Sequence, residues 1–355
     1  MTLTLNGLIQ LMLRATEPED IFGELGATPE DALRRQYRAM VIAAHPDHNP
    51  GQWAAANQAF RQLRDWHATA QRKLADGTYG RPERIRAASG GRTYVGYAAP
   101  ITGDLCDLFP ARGDGAPALL KVARSPRSND LLAAEAHALR RLNTDLAGQP
   151  VRAHFPTYVE SFLLRDTAGS QRHVNVLRPE EGAYSLAEVL RAYPQGLHPA
   201  DAAWMFNRTL AALGTAHGMR IVHGAVLPSH MLIRPSDHNG ILIDWCYSVA
   251  VGAPVKAIST PYAADYPPEV SAKQGATSAT DLYMAARLMV RLLGGGAEPP
   301  PSVPKPIQAL LRACLIPAPA RRHSDAWQVL EDFRAILGDL YGPPTFRPFR
   351  MPTVP

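Results

Sequence analysis

Cysteine is scarce in this chain: three residues in 355, Cys106, Cys246 and Cys314, with no C-x-x-C pair among them. That is too few for the disulfide framework of a small secreted scaffold, so a reducing compartment, the cytoplasm, is expected. The 12 histidines include no H-E-x-x-H or comparable spacing, so no metal site is read with confidence from them. Long apolar runs are also lacking. The stretch from Leu3 to Leu13 is apolar but too short to cross a bilayer and has no basic start, which favours a helix packed on the body over an anchor or signal. Charge of one sign is modest, because 37 Lys and Arg against 32 Asp and Glu leave +5. With no basic run interleaved with aromatics, neither nucleic acid nor membrane is expected as a partner, and the charge favours acidic protein surfaces.

What is present begins with two helical patterns around a short turn. From Pro29 to Ala44, the residues Leu33, Tyr37, Met40 and Ala44 recur at steps of four, three and four and share one helix face. Thr28 is the expected N-cap, with Pro29 at the first helical position and Glu30 and Asp31 in the first turn. Arg34, Arg35 and Arg38 fall on the far side, as a basic patch facing solvent. After the turn, Trp53, Ala56, Phe60 and Leu63 again step by three or four, so the second helix is expected to bury that stripe against the first. The turn holds His45-Pro46-Asp47, in which proline stiffens the backbone that presents one carboxylate.

From about Asp20 to Ala75 the chain resembles the J-domain of the DnaJ family. Phe22, Leu25 and Gly26 match its opening, Tyr37 and Arg38 its second helix, His45-Pro46-Asp47 its signature loop, and Phe60 with Leu63 its third helix. The resemblance implies a partner, a DnaK-type chaperone. The basic helix would dock on its acidic surface, while the tripeptide, Asp47 above all, triggers ATP hydrolysis.

Length calls for more than one domain. Glycine, proline and serine punctuate residues 76 to 92, which read as a linker. Beyond it, Ala118 to Ala123 reads as a buried strand carrying Lys121, and Asp130 to Leu142 as a helix carrying Glu135. Thr157 to Leu164 and His173 to Leu177 flank the turn Asp166 to Ser170 as a hairpin. A long helix is expected over Pro199 to Gly218. This order, from about residue 92 to 337, resembles the protein-kinase fold. The resemblance matches Lys121 to the lysine that holds nucleotide phosphates, Glu135 to its ion-pair partner, and Asp244 to the magnesium-binding aspartate of D-F-G. It matches Pro268-Glu269 to the end of A-P-E, Asp281 to the aspartate of the central large-lobe helix, and Arg322 to the arginine that pairs with Glu269.

The departures bear on activity. Against H-R-D-x-K-x-x-N the chain keeps His223 and Pro228 but has Ala225 for the base, Leu227 for the lysine and His230 for the asparagine. Alanine accepts no proton, leucine stabilises no phosphoryl charge, and imidazole suits hard magnesium poorly. Of the glycine-rich loop, Ile101 to Leu108 keeps only Gly103, with Asp104 and Asp107 beside it. Phosphotransfer is not expected. ATP and magnesium remain candidate ligands of Lys121, Glu135, Gly103 and Asp244, though none is required, and the bland readings are an exposed lysine, a solvated glutamate and a strand-ending aspartate.

The fold class expected is α+β: an all-α J-domain hairpin, then a bilobal kinase-like domain with a small, mostly β lobe and a large helical one. Its parts are an amino-terminal helix or extension (1–18), the J-domain (19–75), the linker (76–92), the kinase-like domain (93–340) and a proline-rich tail (341–355). Glu298 to Pro306 reads as a connector, and the tail either as a strap along the domain or as an extended peptide for a partner. The function expected is that of a co-chaperone adaptor whose second domain holds a client, partner or nucleotide. The alternatives are an atypical ATP-dependent kinase and an inert scaffold subunit.

Overall fold

The computed structural model describes residues 3–15, 17–81, 83–166 and 169–352, with Arg14 described by its backbone alone. Pro82 of the expected linker, Thr167 and Ala168 of the expected turn, and the last three residues of the tail lie outside that set. The protein mixes helix and sheet, and divides into two compact units, Met1–Arg84 and Ile85–Pro355. Among the described residues no helix is long and apolar enough to cross a membrane.

The first unit is helical: α1 (Leu5–Arg14), α2 (Pro18–Phe22), α3 (Pro29–Ala44) and α4 (Trp53–Ala75). The α3 and α4 stripes pack antiparallel, with Tyr37 stacked on His67 and His45 edge-on to Phe60. Leu33, Ala44, Ala56 and Leu63 are buried as their spacing predicts. Trp53 is not; it is 64% exposed at the first residue of α4. Thr28 is the N-cap residue of α3, but its side chain makes no capping hydrogen bond. Leu5, Leu8 and Met12 of α1 share one hydrophobic cluster with Leu33 and Leu63. Burying the apolar face of α1 in that cluster removes it from water, which is the favourable arrangement. The end of α4 is fastened to α2 by Lys73, whose ammonium lies 2.5 Å from Glu19 and 3.3 Å from Glu17.

The expected linker is shorter than its composition suggests. β1 (Ile85–Ser89) and β2 (Arg92–Gly96) form a hairpin whose turn uses Gly90 and Gly91, both at positive φ. Glycine here makes a tight turn inside a sheet and not a flexible connection. β3 (Ile101–Thr102), β4 (Cys106–Gly113) and β5 (Ala116–Ala123) follow, then α5 (Asn129–Asp145), β6 (Tyr158–Arg165) and β7 (Gln171–Leu177). These strands make a seven-stranded antiparallel sheet in the order β1-β2-β4-β5-β7-β6, with β3 added to β4. α5 packs on β6 and β7 and also on the turn Trp245–Tyr247 from far along the chain.

The remainder is mainly helical. β8 (Tyr184–Ser185) leads into α6 (Leu186–Ala192), whose start is closed by a capping box of Ser185 and Glu188. α7 (Pro199–Gly218) has the bounds its pattern predicts, and is buried on most sides. β9 (Ile221–Val222), β10 (Met231–Arg234), β11 (Asn239–Leu242) and β12 (Val249–Ala250) form two small sheets, β11-β10-β8 and β12-β9. α8 (Pro268–Ser271), α9 (Ser278–Leu292), α10 (Lys305–Cys314) and α11 (Ala326–Tyr341) complete the unit. The proline-rich connector ends two residues early, since Lys305 and Pro306 already belong to α10, where proline at the start sacrifices no hydrogen bond.

The tail is a strap. Phe346 stacks on His238, Phe349 packs against Tyr193 and Trp204, and the Arg347 guanidinium lies 2.6 Å from Asp201.

Candidate functional site

In the first unit the loop between α3 and α4 is a short 3-10 turn, Pro46–His48. His45 caps it, its Nδ1 accepting from the Asp47 amide at 3.2 Å. Asn49 is the residue that pins it: its Nδ2 donates to the carbonyls of Ala43 and His45, both at 3.0 Å. Sequence reasoning passed over Asn49, although an asparagine two residues after a turn aspartate is well placed to bond nearby carbonyls. The Asp47 side chain is 86% exposed, with His45 Nδ1 at 3.7 Å. Arg34, Arg35 and Arg38 are all exposed along α3. The unit thus presents one oriented carboxylate and a row of cations to solvent.

In the second unit, residues from four distant stretches meet around Lys121. β5 places Lys121 directly across from Asn175 on β7. Lys121 is 3% exposed and Glu135 1%. The readings of an exposed lysine and a solvated glutamate are therefore wrong, because α5 presses its Glu135 face onto the sheet. Lys121 Nζ donates to Glu135 Oε1 at 2.8 Å and to Asp244 Oδ1, and lies 3.8 Å from the Cys246 sulfur. Glu135 Oε2 accepts from Asn175 Nδ2 at 2.9 Å. Asp244 sits in left-handed backbone (φ 69°, ψ 48°), a conformation aspartate tolerates better than most residues. Its Oδ1 also accepts from Cys246 Sγ at 3.0 Å, and its Oδ2 lies 3.0 Å from His230 Nε2. His230 Nδ1 is 2.9 Å from the Ala225 carbonyl, so both ring nitrogens face oxygens.

Each carboxylate oxygen in this cluster already has a partner inside the protein. Burial raises the Asp244 carboxyl, but Lys121 and then His230 outweigh it and hold it well below its usual value. For Lys121, burial lowers the ammonium, while Asp244, Cys246 and Glu135 raise it well above its normal value. Burial and the neighbouring Asp244 push the Cys246 thiol well up, and burial pushes Cys106 to about 12. Neither sulfur is a thiolate near neutral pH, so neither is a ready nucleophile.

The loop that carries Gly103 is a closed β3–β4 turn. Gly103 donates its amide to the Cys106 carbonyl at 3.0 Å, and its own carbonyl accepts from Arg124 at 3.0 Å. Asp104 accepts a 2.5 Å hydrogen bond from Ser259 Oγ. Asp107 lies 3.6 Å from Arg124.

The segment from His223 to His230 is rigidly held. Asp281, wholly buried on α9, accepts from the His223 amide (2.7 Å) and the Gly224 amide (2.8 Å), with His217 Nε2 at 2.9 Å. Gly224 is at φ 75°, and a Cβ there would lie 2.8 Å from the Tyr247 carbonyl, so only glycine fits. His223 Nε2 meets the Ile243 carbonyl at 2.9 Å, while Nδ1 faces the Ala225 amide. Burial lowers its value to about 4, which keeps the ring neutral. Ala225 and Leu227 are fully buried. Arg322 grips Glu269 through two bonds of 2.6 and 2.8 Å, and Thr280 adds a third to the same carboxylate. Thus Lys121, Glu135, Asp244 and His230 converge, His223 and Asp281 form a second constellation, and Glu269 with Arg322 a third. A further ion cluster, Asp265 with Arg287 and Arg291, carries no sequence motif and is visible only in three dimensions.

No protein-family model matches the chain, and no curated protein matches it in sequence.

Proposed function

We propose that this protein is a J-domain co-chaperone whose second unit is a catalytically impaired, kinase-like holding module. The observation that carries the reading is the His45-Pro46-Asp47 loop: a carboxylate held outward at the end of two packed helices, with Arg34, Arg35 and Arg38 exposed along one of them. A row of exposed arginines gives long-range, salt-sensitive attraction to an acidic partner. The Pro46 turn, locked by Asn49, then offers Asp47 in one direction at little entropic cost on binding. The partner is a DnaK-type chaperone, and the reaction promoted is its ATP hydrolysis, in the cytoplasm.

In the second unit, a small sheet with one helix followed by a helical body, with Lys121, Glu135 and Asp244 gathered between them, supports the kinase-like reading. Its residues argue for holding over phosphotransfer. A buried methyl group at Ala225 takes no proton, and Leu227 points its bulk into the core. The donor set at Asp244 does not fit magnesium: one carboxylate already shared by Lys121 and His230, with imidazole and thiol as neighbours.

The test is single-turnover ATP hydrolysis by a purified DnaK-type chaperone with the full chain added. The expected result is stimulation by the wild type that is abolished in Asp47→Asn and weakened, with a shallower salt dependence, in Arg34→Glu/Arg38→Glu. A folded wild type that leaves the rate unchanged overturns the reading.

A further inference from the structure

The tail is read by the second unit through side chains and main chain together. Phe346 and Phe349 are three residues apart, one turn of an extended proline-rich segment, so both rings fall on one face. Phe346 stacks on His238 with ring centroids 4.2 Å apart. Phe349 packs on Tyr193 at 5.6 Å and edge-on to Trp204 at 6.2 Å. Between the two rings, the Arg347 guanidinium reaches the Asp201 carboxylate. The His238 imidazole bonds the Arg347 backbone, and the Tyr193 hydroxyl donates to the Arg350 carbonyl. Two aromatic seats, one carboxylate and two main-chain contacts are the parts of a groove for an extended peptide.

The tail occupies that groove lightly. Of residues 343–352 only Phe349 and Met351 are half-buried, and the rest are exposed. Among the described residues, no backbone–backbone hydrogen bond joins this segment to the body. The Arg347–Asp201 pair is open to water on both sides, a setting in which ion pairs hold little. Pro343, Pro344 and Thr345 border a cavity of about 570 Å³ over α7 and α11 without filling it. The contacts therefore select a sequence without gripping it, and segments with so little burial open far more easily than the core.

The same features decide which molecule can take the tail's place. A second copy brings identical contacts and loses the freedom of a separate molecule, so it does not displace a tail that is already tethered. A partner with a larger side chain where the tail has Thr345 gains what the tail lacks, because it fills the cavity, lined in part by Ala200, Ala203 and Leu337. Asp201 supplies the charge complement for an arginine. We propose that this groove docks an extended segment of a partner protein, an arginine between two aromatic residues with a bulky apolar residue ahead of them, and that the tail is its built-in competitor. This extends the holding role proposed for the second unit to a particular surface.

The probe is a fluorescein-labelled peptide of residues 345–352, titrated into the full chain and followed by anisotropy. The expected result is weak binding to the wild type and binding at least about tenfold tighter to Arg347→Ala/Phe349→Ala, whose own tail competes less. Adding Asp201→Lys should abolish that gain, while a Thr345→Leu peptide should bind tighter than the native sequence. The wild type supplies a second measurement free of folding defects: a peptide with a benzophenone in place of the Phe349 ring should crosslink to Tyr193 or α7. Crosslinking elsewhere overturns the proposal, as does a scrambled peptide that binds equally well or a weakened tail that brings no gain. A wild-type dimer in sedimentation velocity that Phe349→Ala dissociates also overturns it, by assigning the groove to the tail of a second copy. None of these readouts depends on chaperone stimulation.

Discussion

Asp47 and Asp244 are both aspartates set at a turn, yet one stands in water and the other has each oxygen claimed by a neighbour. Around Asp47 the protein spends its hydrogen bonds on the backbone, through His45 and Asn49, and leaves the carboxylate free. Around Asp244 it does the reverse, satisfying side chain with side chain until lysine, carboxylates, imidazole and amide are mutually paired. On the proposed function, the group that serves a partner is oriented but unsatisfied. A group paired within its own unit contributes to the integrity of the fold, and its removal is felt as lost stability.

That contrast is broken most sharply at Lys121. Lys121→Met leaves the buried Glu135 and the part-buried Asp244 without the lysine they share and is expected to cost about 3 kcal/mol of second-unit stability. Urea unfolding followed by tryptophan fluorescence measures it. Lys121→Met combined with Glu135→Leu should recover part of the loss, because the desolvated charge goes with its partner. If the single variant is as stable as wild type, the cluster is not the structural element described.

The next effect is pH. His223 is a base whose folded value, about 4, lies below the usual 6.5. Between those values the unfolded chain binds a proton that the folded chain excludes, so stability present above about pH 6.5 falls as pH drops toward 4. The full difference is about 3 kcal/mol. Asp244, depressed in the folded state, adds a loss only at lower pH, below the ordinary carboxylate value of 3.8. Unfolding free energies across pH 4 to 7.5 should show the first slope in wild type and a flatter profile in His223→Gln.

Smaller again is the strap. Phe346→Ala removes a largely exposed ring from its stack on His238 and should cost about 1 kcal/mol or less, readable as a small shift in thermal midpoint. Smallest of all is Asp47→Asn, expected to change stability by less than about 0.5 kcal/mol while removing the proposed chaperone stimulation. A large stability loss at Asp47 would erase the distinction between the two aspartates.

Much of the first unit is legible locally. Leu33, Ala44, Ala56 and Leu63 follow a helical period, and Pro29 and His45-Pro46 mark a start and a stop, because these signals depend on neighbours within a turn or two. Trp53 misled for the same reason, since helical spacing cannot reveal whether a residue at the very start of a helix has a neighbour to cover it. Gly90 and Gly91 read as a linker because the same glycines serve flexible segments and tight sheet turns alike.

The sequence by itself determined where α3, α4, α5 and α7 and the strands β5 to β7 form, which loop carries the exposed carboxylate, and that Ala225 and Leu227 stand where a kinase resemblance would need an acid and a cation. Only the tertiary structure decided that Lys121, Glu135, Asn175, His230 and Asp244 share one buried network, that Asp281 holds the backbone at His223, and that the tail lies along the helices as a strap. The physical reason is range. Periodicity and capping act over a few residues, whereas ion pairing and desolvation act over a few ångströms between residues more than a hundred positions apart.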